Sequence, residues 1–388
     1  MSLLAGLRVA IVHEWLLDYA GSERVLREIL SLLPHADLFT LIDQPDENLK
    51  HAIAKRAKAT TFLQSLPDPR RWLPYYVPLM PFAIEQLDVS GYDVLISSSH
   101  TVAKGVITGP NQLHVSYVHS PMRYAWDLQH QYLRDSGLGS GLKGLAARWA
   151  LHRLRQWDAR SANGVDGFMA NSEFIARRIR KTYRRDAQVV YPPVDVSSLP
   201  LSRSRGDFYL TVSRLQPYKR VDLLVEAFAR MPERRLVVIG DGPMMKRLRA
   251  TPAPNVELLG YRPTAEVIEQ MGRARAFLFA GIEDFGIVLV EAQACGAPVI
   301  AFAHGGAAEI VRGEDAASPS GVLFSEQTVE SVIDAVNRFE RNASRFETDA
   351  CRASALRFDA NVFRERFSSF VAEQWVGFAR QRDQAKGS

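Results

Sequence analysis

The chain has 388 residues, 47% of them apolar and 23% charged, too many for one ordinary domain and apolar enough for two buried cores. Disorder as the whole answer is thereby excluded. The net charge of +5 is unevenly spread: from Lys143 to Asp186 eleven basic residues accompany four acidic ones, which suits anionic lipid head groups or nucleic acid as well as a solvated helix face.

Arg8–His13 reads as the first strand, and its apolar run meets His13 and Glu14 too soon for a secretion signal or a membrane span. The expected address is the cytoplasm, or a peripheral place at the inner face of the cell membrane. Ser22–Leu33 follows with helical spacing at Val25, Leu26, Ile29, Leu30 and Leu33. Trp72, Tyr75, Tyr76 and Phe82 then fall among five prolines, a pattern for a packed irregular segment or for an acceptor or lipid surface. Further strands are expected at Val94–Ser97, His114–His119 and Gly167–Ala170, with Glu173–Tyr183 a helix. Pro192 and Pro193 break the pattern, and Ser197 to Gly206 reads as a hinge. Alternation restarts with strand Phe208–Ser213 and helix Val221–Arg230, then strands Leu236–Gly240, Val256–Gly260, Ala276–Ala280 and Pro298–Phe302. An amphipathic helix from Asn361 to Arg380 closes the chain.

Regular strand–helix alternation implies α/β domains with parallel sheets covered on both faces. The expected division is a Rossmann-like domain at 1–196, a hinge at 197–206, a second such domain at 207–360 and a terminal helix at 361–388. Ligands of open parallel sheets bind beyond the carboxyl ends of the strands, so a site in the cleft between two facing domains is expected. Cys295 and Cys351 stand alone, in neither disulfide nor zinc spacing.

Two constellations carry chemistry. In Glu283-Asp284-Phe285-Gly286-Ile287-Val288-Leu289-Val290-Glu291, two carboxylates flank a Phe-Gly turn and an apolar segment. A helix starting near Gly286 would offer its backbone N–H groups to an anion, with Glu283 just before it and Glu291 about one turn in. One carboxylate could then bind sugar hydroxyls and the other a ribose. Directly after strand Phe208–Ser213, Arg214 and Lys219 place two cations where a diphosphate leaving group gathers charge. An acidic cap with an exposed helix Glu, and surface cations, are the bland counterparts. His119 ends a strand before Ser120-Pro121, and His100 precedes Thr101 and Lys104 on the expected acceptor side. His304 leads Gly305-Gly306 and Glu309, either a backbone contact or a plain turn.

With Gly240-Asp241-Gly242-Pro243 in the same order, these segments resemble glycosyltransferase family 4, retaining enzymes of the GT-B fold, over essentially the whole chain. His119-Ser120-Pro121-Met122-Arg123-Tyr124-Ala125-Trp126-Asp127 is similar to bacterial mannosyltransferases of O-antigen and exopolysaccharide synthesis. The resemblance implies a GT-B architecture whose C-terminal helix packs back on the N-terminal domain. It implies a diphosphate held by Arg214 and Lys219, and a donor sugar held by Glu283 with the backbone N–H groups of Phe285, Gly286 and Ile287. Glu291 would hold the ribose, Tyr261 and Arg262 would lie near the base, Gly240 would line the donor site and Gly21 would approach phosphate or sugar. His119 would lie beside the sugar, with His100, Lys104 and Arg123 toward the acceptor. The first loop departs from the commoner Gly-Gly form, because Ala20 precedes Gly21.

The expected reaction is transfer of a sugar, with retention, to a glycan or lipid-linked hydroxyl. GDP-mannose is the favoured donor and a UDP-hexose or UDP-N-acetylhexosamine the alternative. No Asp-x-Asp motif stands at a suitable strand end, so no metal and no cofactor are expected. A dinucleotide oxidoreductase would need a Gly-x-Gly-x-x-Gly turn after a strand, which neither Arg8–His13 nor Phe208–Ser213 is followed by. A non-catalytic sugar- or nucleic-acid-binding module would have no need of the cation and carboxylate sets together, and no nucleic-acid partner is expected.

Overall fold

The computed structural model describes residues 4, 6–250 and 253–386. The chain forms two compact units, one comprising residues 1–191 with 363–388 and the other residues 192–362.

The first unit is built on seven strands: β1 (Val9–Leu16), β2 (Asp37–Asp43), β3 (Ala59–Thr60), β4 (Val94–Ser99), β5 (Leu113–Val118), β6 (Gly167–Ala170) and β7 (Gln188–Val189). They are all parallel and lie in the order β3-β2-β1-β4-β5-β6-β7. Successive β1 residues enter opposite cores. Val9 and Ile11 pack with Val25, Leu26 and Ile29 of helix Gly21–Leu32, while Ala10 and Val12 pack with Met80, Ala83, Ile84 and Leu154. Burial on both faces explains why β1 opens on the apolar run Val9–Val12 and β4 on Val94–Ile96 rather than on alternating residues.

The terminal helix, Ala360–Lys386, places Phe363, Phe367, Phe370, Val371 and Trp375 in the same core as Val9 and Ile11. Each buried aromatic there contributes about 2 kcal/mol. That apolar stripe is what returns the chain's end to its first unit.

The second unit contains β8 (Phe208–Val212), β9 (Arg235–Ile239), β10 (Val256–Gly260), β11 (Ala276–Phe279), β12 (Val299–Phe302) and β13 (Gly321–Phe324). These are parallel in the order β10-β9-β8-β11-β12-β13. The stretch 197–206, expected as a hinge, packs on this unit. The Arg205 guanidinium donates to the carbonyl oxygens of Ser202 (2.7 Å), Gly272 (2.8 Å) and Cys295 (3.2 Å), and the Ser202 N–H donates to Cys295 O at 3.3 Å. A guanidinium with that many backbone acceptors ties the segment down, so the division between units falls at Tyr191 instead.

Candidate functional site

In the second unit, chain order reverses between β8 and β11: β9 and β10 lie to one side, β12 and β13 to the other. In open parallel sheets, ligands bind outside the carboxyl ends of the strands at such a point. The loops from this switch point carry Lys219 and Glu283. Their side chains form an ion pair between Lys219 Nζ and Glu283 Oε1, with Lys219 9% exposed and Glu283 half-buried. The same ammonium lies 5.1 Å from the Tyr218 ring centroid and 5.6 Å from that of Phe279. Aromatic faces and a carboxylate thus hold the cation in place.

Two close backbone approaches fix the Glu283 loop. A side chain at Gly281 would put its Cβ 2.9 Å from Lys219 Cα, so only glycine lets the loops after β8 and β11 run together. On the far side Gly305, with φ +71°, forms a parallel bridge with Glu283, and the Gly306 N–H donates to Glu283 O at 2.9 Å. Gly305-Gly306 thus packs its backbone on that of the Glu283 loop.

Phe285 is buried and packs edge-on against Phe358 at 5.3 Å, so it can offer a ligand only its backbone. Gly286 is the N-cap of helix Ile287–Ala294 and supplies no side-chain cap, which leaves that terminus suited to an anion. Glu291 lies one turn into the helix and is half-buried. Arg214 is exposed, and the neighbouring Ser213 Oγ is buried without a hydrogen-bond partner among the described residues. Gly240 directly follows β9, its N–H donating to Gly260 O at 2.9 Å. Tyr261 is 71% exposed. Arg262 is tied to its own segment instead, pairing with Glu266 at 2.9 Å and donating to Tyr261 O at 2.9 Å.

The first unit reverses order between β1 and β4. His13 and Ser98 are register partners there, with His13 Nδ1 3.1 Å from Ser98 Oγ. His13 Nε2 lies 3.3 Å from Glu23 Oε1, and Ser98 Oγ lies 2.9 Å from His119 Nε2. His119 directly follows β5 and is half-buried, its ring 5.1 Å from Tyr117 and 6.2 Å from His100. Burial, then the neighbouring His100 and His13, push its pKa well below the ordinary histidine value, so it is neutral.

Glu14, wholly buried, accepts the backbone N–H groups of His100 (2.9 Å), Thr101 (2.7 Å), Val102 (2.9 Å) and Ala103 (3.1 Å), and the Ser99 hydroxyl at 3.1 Å. Burial raises its pKa, but His100 and the N–H groups of Val102, Ala103 and Thr101 outweigh it and the net shift is downward. The carboxylate pins the loop after β4 and so sets the place of His100, which packs edge-on against Trp15 at 4.7 Å. Sequence reasoning saw Glu14 only as the end of an apolar run.

Lys104 is a correction. Expected on the acceptor side, it is 2% exposed and ion-paired with the fully buried Asp158, which also accepts from Trp126 Nε1 (2.7 Å) and Tyr183 OH (3.0 Å). A buried ammonium needs such a partner, so Lys104 holds the core of its unit together and is withdrawn from solvent. Arg123 is half-buried in the turn that follows His119, and Gly21 is an exposed first residue of helix Gly21–Leu32.

Two family models match the chain: Glycosyltransferase Family 4 over residues 19–198 and Glycosyl transferases group 1 over residues 200–353. A D-inositol 3-phosphate glycosyltransferase of Mycobacterium leprae is 32% identical over 222 residues, half of either chain. A GDP-mannose-dependent monoacylated alpha-(1-6)-phosphatidylinositol monomannoside mannosyltransferase of Corynebacterium glutamicum is 36% identical over 114 residues, 26% of this chain and 30% of its own. The chain thus spans half or less of the length of these curated relatives. Among solved structures, sucrose-phosphate synthase of Thermosynechococcus elongatus matches with TM-score 0.70 at 15% identity, over 95% of this chain and 100% of that one. Anabaena HepE in complex with UDP-glucose matches with TM-score 0.67 at 18% identity, over 94% and 99%. The fold is GT-B.

Proposed function

We propose that this chain, which is glycosyltransferase family 4-like and of the GT-B fold, transfers a sugar from a nucleoside diphosphate sugar to a hydroxyl of a glycan or lipid-linked acceptor in cell-surface polysaccharide synthesis. The observation that carries this reading is the meeting of Lys219 and Glu283 at the second unit's switch point, just before a helix N-terminus. A phosphate needs the cation and the helix N–H groups; sugar hydroxyls need the carboxylate.

As the glycosidic bond breaks, charge grows on the leaving diphosphate, and Lys219 with Arg214 stabilises it. Two fixed cations supply this stabilisation without a metal ion. Retention follows from front-face displacement through an oxocarbenium-like state, the departing phosphate taking the proton of the acceptor hydroxyl. Glu283, already engaged by Lys219, orients the sugar rather than attacking it. Glu291 holds the ribose, and Tyr261 lies at the base. GDP-mannose is the favoured donor, supported by the mannosyltransferase-like His119–Asp127 segment and by the GDP-mannose dependence of the Corynebacterium relative. A thermal-shift screen of GDP, UDP and their sugar conjugates tests this: stabilisation by GDP-mannose is expected, and stabilisation by UDP sugars alone would overturn the donor assignment.

Peripheral contact with an anionic membrane at the cytoplasmic face belongs to the same reading. Helix Gly141–Ser161 exposes Leu142 (86%), Leu145 (65%) and Trp149 (66%), with Lys143, Arg153 and Arg160 also exposed and its lone carboxylate, Asp158, buried. Among the described residues no helix is long and apolar enough to cross a membrane, so this surface would lie in the interface. Co-sedimentation with anionic but not zwitterionic vesicles, weakened by Trp149→Ser, is expected; equal binding to both vesicle types would contradict it.

A further inference from the structure

Helix Ile287–Ala294, whose N-terminus is proposed to meet the donor phosphates, is held at both ends by one neighbouring segment. That segment is helix Thr348–Ala355 with the turn Leu356–Phe358 behind it. The phosphate-facing helix is short, about 12 Å, and it buries Leu289, Val290, Ala292, Gln293 and Ala294. Apolar burial is non-directional and fixes a helix along its own axis only loosely. Its ends carry the directional contacts.

At the C-terminal end Gly296 (φ +85°) turns the chain, its N–H donating to Gln293 O and the Ala297 N–H to Ala292 O, both at 2.9 Å. This turn does not reach Ala294 O, which accepts instead from Arg352 Nη1 at 2.6 Å. The same nitrogen donates to Leu199 O at 2.8 Å, and Arg205 holds Cys295 O. Cations there also complement the negative end of the helix dipole. At the N-terminal end the buried Phe285 ring meets the buried Phe358 ring edge-on at 5.3 Å. The Phe285 backbone meets Gly306, where a Cβ would lie 2.0 Å from Phe285 O. Phe358 is itself fixed by Arg357, whose guanidinium carbon is 4.8 Å from its ring centroid and whose Nη2 donates to Ile310 O at 2.9 Å. Ile310 ends the helix that follows Gly305-Gly306, so this contact and the glycines close around the Glu283 loop. Between the ends, Gln293 Nε2 donates to Ser320 Oγ at 3.0 Å, a tie to a different segment.

We propose, taking that helix N-terminus as the phosphate site, that Arg352 and Phe358 are positioning residues for donor binding. By fixing the helix at its two ends they set where its N-terminal N–H groups and the adjoining Glu283 stand. They act through the helix and not by touching the donor. A small axial shift takes an N–H···O bond away from its best length of about 2.9–3.0 Å, so loss of either end contact is felt as weaker phosphate binding.

Calorimetric titration of the full chain with GDP and with UDP reads this effect. For the nucleoside diphosphate that wild type binds, Phe358→Leu and Arg352→Met should each raise Kd about three- to tenfold, the order of one hydrogen bond. Arg352→Lys, which keeps a donor for Ala294 O, should stay closer to wild type than Arg352→Met. A residue that merely supported the fold would lower the titratable fraction, read as stoichiometry, and leave Kd unchanged. A wild-type Kd in either variant, with binding weakened by Lys219→Met, would overturn that residue's role while the phosphate site stands. Arg352→Lys as weak as Arg352→Met would likewise overturn the part assigned to Arg352. No binding of either nucleotide by wild type, or binding that Lys219→Met leaves unaltered, would overturn the phosphate site and the positioning together. If Arg352→Met does not fold, Phe358→Leu decides.

Discussion

Replacing Gly305 with alanine tests whether Glu283 is held in place by backbone contact. At φ +71° an L residue costs about 1–2 kcal/mol. The new Cβ would also lie 2.2 Å from the Glu283 carbonyl oxygen, well inside van der Waals contact, and its neighbour is backbone that cannot swing aside as a side chain can. Overpacking of this kind costs about 1–3 kcal/mol. Together the terms give about 2–5 kcal/mol, against an ordinary stability of about 5–15 kcal/mol. With a urea dependence of about 1–3 kcal/mol per molar, the midpoint should fall by about 1–2 M. All six tryptophans lie in the first unit, so far-ultraviolet circular dichroism must follow this transition. Strain relieved by moving the loop would carry Glu283 away from Lys219, and sugar transfer by the folded variant should drop at least tenfold. An unchanged midpoint together with unchanged transfer would refute the idea that glycine-dependent contact sets the carboxylate.

Glu23 gives a pH prediction. Burial raises its pKa, but the His13 hydrogen bond and the charges of His13 and His100 bring it down to about 2 from 4.5. A lowered folded pKa means stability that is present above about pH 4.5 and lost as pH falls toward 2, about 3 kcal/mol in all. Glu23→Gln should reduce the acid sensitivity of the first unit in that window, read by tryptophan fluorescence; a wild-type acid profile would contradict it. Lys104→Met should cost about 3–5 kcal/mol by stranding Asp158 while leaving the acceptor KM of the folded fraction unchanged. A raised acceptor KM without loss of stability would return Lys104 to the acceptor side. Arg214→Ala, at an exposed position, should leave the melting temperature near wild type and lower kcat on the order of 10²-fold; near-normal turnover would remove it from the site.

Much of the fold was legible because both sheets are parallel and doubly covered. Val256–Gly260, Gly167–Ala170 and Glu173–Tyr183 fall where apolar runs and helical spacing put them. Ser172 supports the last of these by accepting the Ile175 N–H at 3.1 Å, a local cap readable from sequence. The helix start at Ile287 was legible for a similar reason, since Phe-Gly before an apolar run is local chemistry. Long-range partners were not. Glu14 meets groups more than 80 residues away, and Lys104 meets Asp158 across 54 residues. Nothing in a local window separates a lysine that reaches solvent from one that closes a core. The ion pair of Lys219 with Glu283 was hidden likewise: the sequence placed each after its strand, but only strand order shows that β8 and β11 are neighbours.

Calorimetric titration of the full chain with GDP, UDP, GDP-mannose and UDP-glucose, repeated on Glu283→Gln and Lys219→Met, tests the central claim most directly. Wild type should bind a nucleoside diphosphate and bind its sugar conjugate more tightly. Glu283→Gln should keep the diphosphate affinity and lose the gain from the sugar, whereas Lys219→Met should weaken both. Binding of every ligand unaltered by either substitution would contradict a sugar-nucleotide site at the β8–β11 switch point.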